Sequence, residues 1–136
     1  VAVDMHSDAV AAARARAEPV ILGDARKPEL LKKVGIASAQ ALIITMDNPA
    51  AAQQTLLTIR RQWPDLPIFV RSRDAAHSDE LLTAGASAVV PETLEVSLQL
   101  ASIALQSSGL SREAAQLCVE ELRLKNLVQW EDIERS

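Results

Sequence analysis

Four apolar, strand-like runs in the first 74 residues each end in a small polar cluster, at Val1–Asp4, Val20–Ala25, Leu42–Asp47 and Ile68–Asp74. Asp4 closes the first run, where a carboxylate can accept hydrogen bonds from ribose hydroxyls. The plainer reading is an exposed Asp near a helix start. Gly23, Asp24 and Ala25 close the second run: glycine lets a backbone approach a ligand, and Asp24 can bind an adenine amino group or cap a turn. Thr45 and Asp47 close the third. Independent turns have no reason to place such groups repeatedly on one sheet edge, so the series favours a nucleotide crevice.

Past the fourth run stand Arg71, Arg73, Asp74 and His77. Two guanidiniums one residue apart can hold a carboxylate or phosphate bidentately, or they can pair with Asp74 and Glu92. His77 has no second histidine except His6 and no organised carboxylate set, so no metal site is expected. No Ser/His/Asp set or Tyr/Lys pair is recognisable, and no catalytic residue is assigned. Cys118 lies among apolar neighbours and reads as a core residue.

The elements that must position these residues alternate. Between the strand-like runs lie stretches long enough for one helix each, which makes the strands parallel and gathers their carboxyl ends on one edge. Asp8 to Ala17 is Ala/Arg-rich, with Ser7 or Asp8 as its cap and Pro19 as its stop. Pro28 opens a short helix that Gly35 ends. Asp47-Asn48-Pro49 starts another, with Ala52, Leu56 and Ile59 on one face until Pro64. Ala76 to Thr83 is a helix closed by Gly85, and Ala88 to Pro91 is a last strand.

From Leu94 to Ser107 the apolar residues form two opposite stripes. At about 100° per residue, Leu94, Leu98, Ala101 and Leu105 fall on one side, and Val96, Leu100 and Ile103 on the other. A helix apolar on both sides needs two bodies to cover it, either the domain and a second copy or the domain and its own tail helix. The second copy is the favoured reading. Gly109 breaks this helix, and Ser111 caps a last one reaching about Leu127, with Ala114, Leu117, Leu124 and Val128 expected on its packing side.

Composition narrows the function classes. With 136 residues, 49 % of them hydrophobic, the chain holds one real core and an appendage. A net charge of −4 without a basic face argues against nucleic acid as a partner. The only aromatics are Trp63, Phe69 and Trp130, which leaves few stacking platforms for bases. One cysteine excludes an internal disulfide, and no apolar run approaches the ~20 residues of a membrane span. The chain opens at Val1 already inside a strand, and is expected to be a piece of something longer.

The series VAVD, GDA, TMD, VRSRD, His77, AGA and VVPE closely resembles the RCK or TrkA-N (KTN) domain, the cytosolic regulator of bacterial potassium channels and cation/proton antiporters. The run VPETLEVSLQLA at 90–101 and the tail from Gly109 to Arg123 look like the glutathione-regulated, Kef-type potassium efflux branch. The resemblance implies a Rossmann-like α/β fold, a parallel sheet with helices on both faces. Residues 1–92 would be the nucleotide-binding domain and 93–136 the crossover and dimerisation helices. It implies Asp4 at the ribose, Asp24 and Ala25 beside Gly23 at the adenine, and Thr45 and Asp47 at the nucleotide edge. Arg71, Arg73, His77 and Glu92 would lie toward the effector and dimer side.

The implied ligands are NAD(H) or AMP, with glutathione as effector. The implied partners are a second copy and a membrane-embedded antiporter or channel part, on the cytoplasmic side of the bacterial inner membrane. The competing readings are a fragment of an NAD-dependent oxidoreductase and a dimerisation module that binds no ligand.

This sequence lacks the family's first strand, its GxGxxG turn and the helix behind it. Those elements hold a pyrophosphate, so weak nucleotide affinity is expected. In the order 3-2-1-4-5-6 the missing strand is central. Val1–Asp4 and Ile68–Arg71 are expected to flank a gap of roughly 10 Å, filled by a strand from another chain.

Overall fold

The computed structural model describes residues 1–126. In chain order it contains β1 (Ala2–Asp4), α1 (Ser7–Ala15), β2 (Val20–Leu22), α2 (Pro28–Lys33), β3 (Leu42–Ile44), α3 (Pro49–Gln62), β4 (Ile68–Ser72), α4 (Ser78–Thr83), β5 (Ala88–Pro91), α5 (Glu92–Ser107) and α6 (Arg112–Asn126). The alternation is the one the apolar runs predict. Trp130 and Val128 lie outside the described residues.

Local chemistry sets most boundaries. Asn48 accepts a hydrogen bond from the Ala51 N–H at 3.0 Å and Pro49 occupies the first helical position, so α3 starts where both rules place a helix. Gly35 and Gly109, at φ +91° and +99°, take the left-handed conformation that ends a helix. Ser111 caps α6, its Oγ accepting from the Ala114 N–H at 3.2 Å. Two expectations fail in detail. His6, not Ser7 or Asp8, stands at the N-cap of α1 and makes no capping bond, and the helix stops at Ala15 because Ala17 turns to φ 59°. The stretch 75–83 divides into a 3₁₀ turn at Ala75–His77 and the six-residue α4.

The strands form two parallel sheets, β1-β2 and β3-β4-β5. β4 is central to the larger one, with Ile68, Val70 and Ser72 at 0 %, 2 % and 5 % exposure. Over it pack Ala52, Leu56 and Ile59 of α3, with Leu31, Ile36 and Leu81 completing the core. β1 is not hydrogen-bonded to Ile68–Arg71, and the expectation that these two segments flank the gap is corrected. β4 has β3 on one side and β5 on the other, which makes β3 the edge that faces β1. A cleft of about 480 Å³ separates β1 from β3, lined by Val1, Val3, Leu31, Ile36, Leu42 and Ile44. Ile43 on that edge is 70 % exposed.

α5 shows both stripes. Leu98 is buried, while Val96, Leu100 and Ile103 on the far side are 55 %, 63 % and 52 % exposed. α6 packs antiparallel against α5 through Ala115 and Val119, not through the expected Leu117 and Leu124, which face solvent. Small residues let the two helices approach closely, and that decides the face. Arg123 of α6 locks the pair by donating from Nε and Nη2 to both carboxylate oxygens of Glu95, each at 2.9 Å. Cys118 is exposed and not a core residue.

Arg60 joins parts of the chain that are distant in sequence. Its Nε and Nη2 donate to the Gly85 carbonyl at 3.0 and 2.7 Å, and its Nη1 donates to the carbonyls of Pro64 and Leu66 at 2.6 and 2.7 Å. Gly85 holds φ +106°, and an added Cβ there would lie 3.1 Å from the Arg60 side chain. Replacement by Ala strands three carbonyls, so Arg60→Ala is expected to lower unfolding free energy by about 2–3 kcal/mol in urea denaturation. Arg60→Lys should recover only part, because an ammonium cannot span the fork.

Candidate functional site

The carboxyl ends of the strands carry two groups of polar residues, one at each rim of the cleft. At the first, Asp4 and Leu22 are register partners and the Gly23 N–H donates to the Asp4 carbonyl at 2.8 Å, so Asp4 and Asp24 sit on adjacent strand ends. At the second, Arg71 on β4 reaches back over β3. Its Nη2 donates to the Thr45 carbonyl at 2.7 Å and to Asp47 Oδ1 at 2.5 Å, and its Nη1 lies 3.6 Å from Glu92 Oε2. Arg71 pairs with Glu92 but not with Asp74, whose carboxylate is taken by His77 at 2.7 Å.

Each acidic strand end is met by a basic side chain close in sequence or on the next strand. Asp4 Oδ1 accepts from the His6 N–H at 2.8 Å and lies 2.8 Å from His6 Nδ1, while its Oδ2 is left open. Asp24 is engaged further: Oδ1 accepts from the N–H and Nε of Arg26, and Oδ2 from its Nη2, all at 2.9 Å. Sequence reasoning missed His6 and Arg26. The signal was their spacing of two residues after a strand-end Asp, the spacing at which an Asp side chain binds a backbone N–H.

Gly23 plays a part the sequence does not reveal. A Cβ there would meet Leu30 Cδ2 at 2.4 Å, so the missing side chain makes room for the first turns of α2. Ala25 is half-buried at the cleft rim and Thr45 is exposed.

Between β3, β4 and the start of α5 opens a cavity of about 570 Å³ lined by Met46, Asp47, Arg71, Arg73, Glu92, Thr93, Val96 and Ser97. Thr93 fixes its floor, donating from N and Oγ1 to the Arg73 carbonyl at 3.2 and 2.7 Å. Arg73 makes no ion pair among the described residues, so this cavity holds an uncommitted guanidinium. Apolar Val96, on the exposed stripe of α5, forms its outer wall. His77 stands elsewhere, in a hollow with Pro49, Gln53 and Glu80, and is not brought together with Arg71 and Arg73. Among the described residues no cluster of His, Cys, Asp and Glu could hold a metal.

The pairings shift ionisation. The Arg26 guanidinium and its main-chain N–H hold Asp24 down from the ordinary 3.8 to about 2. The Asp74 carboxylate raises His77 above its ordinary 6.5. These shifts set signs for pH dependence. The Asp24 contribution is present above pH 3.8 and is lost as pH falls toward about 2. The His77 contribution is complete below pH 6.5 and is lost as pH rises through the raised value. Carbon-detected NMR should find Asp24 titrating near 2, and Arg26→Ala should return it toward 3.8.

Parallel strands with helical crossovers and polar residues at their carboxyl ends define a Rossmann-like α/β domain. Residues 1–92 match the TrkA-N domain, and the chain belongs to that family. It is 38 % identical over 133 residues to K(+) efflux antiporter 2, chloroplastic, of Arabidopsis thaliana, covering 98 % of this chain and 11 % of the antiporter. It is 31 % identical to the glutathione-regulated potassium-efflux system protein KefC of Escherichia coli O139:H28, again over 98 % of this chain and 22 % of the relative. The chain therefore spans a small part of these relatives' length. Among solved structures, the Shewanella denitrificans Kef C-terminal domain in its AMP-bound form matches with a TM-score of 0.73 and 27 % identity, covering 82 % of this chain and 70 % of that one.

Proposed function

We propose that this chain is the nucleotide-sensing regulatory domain of a potassium efflux system of the cation/proton antiport type, placed on the cytoplasmic side of a bacterial inner membrane. It acts by ligand-dependent conformational change. The observation that carries the reading is the paired rim of strand-end groups on a TrkA-N fold. Asp4 and Asp24 stand on one side, and Thr45, Asp47 and Arg71 on the other.

Residues 1–92 form the binding unit in this reading, and 93–136 the crossover and dimerisation helices. Asp4 offers its open Oδ2 to a ribose, Asp24 and Ala25 beside Gly23 face an adenine, and Thr45 and Asp47 border the nucleotide. AMP or NAD(H) is the ligand. Support for AMP comes from the AMP-bound state of the Kef relative. The cavity with Arg71, Arg73 and Glu92 takes an anionic effector of the glutathione class, and His77, in its separate hollow, has no part in it. Its uncommitted Arg73 supports that assignment.

The exposed stripe of Val96, Leu100 and Ile103 meets the same stripe of a second copy. Covering these half-exposed side chains on both copies removes apolar surface from water, which is the driving force for pairing. The membrane-embedded antiporter part is the partner on which the domain acts.

Calorimetry tests the binding. AMP should bind and CMP should not, and Asp4→Ala should weaken AMP by about 1–3 kcal/mol, the cost of an unmet polar contact. Failure of AMP, NAD and NADH all to bind would refute the nucleotide reading. Light scattering tests the pairing: a dimer is expected, and Leu100→Asp with Ile103→Asp should give a monomer. An unchanged size would remove α5 as the interface.

A further inference from the structure

Among the strand-end carboxylates, Asp24 is the one most fully closed by its own chain. Its side chain is 21 % exposed, against 43 % for Asp4 and 95 % for Asp47. A carboxylate offers about four lone-pair positions. Three of those on Asp24 are filled by Arg26, through one main-chain and two guanidinium N–H groups. The guanidinium lies against both oxygens as a planar fork. A flat donor, such as the exocyclic amino group of a purine, approaches a carboxylate through that same plane. Asp4 is held differently, since His6 touches only Oδ1 and leaves the other oxygen to a ligand.

We infer that Arg26 is a built-in competitor for the adenine-binding face of Asp24, so that adenine recognition proceeds by exchange of the guanidinium for the purine amino group. The inference rests on the nucleotide reading of the site. Three structural facts make the exchange possible. The Arg26 side chain is 46 % exposed, so its released guanidinium passes directly into water. The bond from the main-chain N–H of residue 26 to Oδ1 does not depend on the side chain, so the carboxylate stays aimed when the fork leaves. The Lys27 N–H donates to the Asp24 carbonyl at 3.1 Å, which holds the turn itself in place.

The competition has a bounded size. An exposed ion pair of this kind changes affinity by no more than about fivefold. Arg26 therefore tunes the site and does not shut it. It also makes the adenine side selective, because a base without an amino group at the matching position gains nothing from displacing the fork.

The test is calorimetric titration of the full chain with adenosine, which is uncharged, and with AMP. Thermal melts verify that each variant is folded. Arg26→Ala is expected to bind adenosine about two- to fivefold more tightly than wild type, and Arg26→Ala combined with Asp24→Ala should lose that gain. Inosine, which lacks the amino group, should show no gain with Arg26→Ala. If wild type binds AMP, Asp24→Ala weakens it and Arg26→Ala leaves adenosine unchanged or weaker, competition by Arg26 is overturned while the nucleotide reading stands. If neither wild type nor Arg26→Ala binds adenosine or AMP, the nucleotide reading falls and this inference falls with it.

Discussion

Backbone hydrogen bonding on both sides of β4 is the interaction from which the other positions follow. Ile68, Val70 and Ser72 are almost completely buried, and the register to β3 and β5 is fixed over the length of the strand. That ladder sets where Arg71 emerges, and with it the contacts to Thr45, Asp47 and Glu92. It also sets where the chain leaves β4 for the Arg73 carbonyl on which Thr93 and the start of α5 are anchored. A one-residue slip would turn Arg71 to the opposite face and dismantle both the ionic cluster and the attachment of the long helix.

The site has a common chemical logic. Carboxylates stand where parallel strands end, and each is met by a basic side chain supplied locally, at two or three residues' distance or from the neighbouring strand. The engagement is uneven: Arg26 closes on both oxygens of Asp24, while His6 engages only Oδ1 of Asp4. The cavity beside α5 is the exception, since Arg73 has no such partner among the described residues. One guanidinium without an ion-pair partner stands on the α5 side, beside the Arg71, Asp47 and Glu92 cluster, and carboxylates engaged by their own chain stand at the β1 and β2 ends.

Much of this was legible in the residues. Continuous apolar runs gave the strands, Asn48-Pro49 and Gly35 gave helix ends, and the two stripes of α5 were visible from spacing alone. What escaped depends on geometry that spacing does not encode. Ala115 and Val119 face α5 because close approach of two helices rewards small residues, a preference that outweighed the larger Leu117 and Leu124. The partners of Arg71 depended on which strand lies beside β4, which is a matter of topology. The role of Gly23 depended on Leu30, seven residues onward in another element. Arg26 and His6 were missed because reading for ligands directs attention to acids and away from the bases that satisfy them.

Arg60 has a consequence for how such a sequence can diverge. One guanidinium measures the distances from the end of α3 to the entry of β4 and to the turn before β5, because it reaches carbonyls in all three places. An inserted or deleted residue in either connection would carry a carbonyl out of its reach. Those two loops are therefore fixed in length for as long as the arginine is kept. The turns around β1 and β2 are spanned more lightly, by the single bond from Arg14 Nε to the Val20 carbonyl at 3.3 Å, and can change length more freely. Length variation among descendants of this chain should fall in its first forty residues, and loss of Arg60 should precede any change in the two loops it spans.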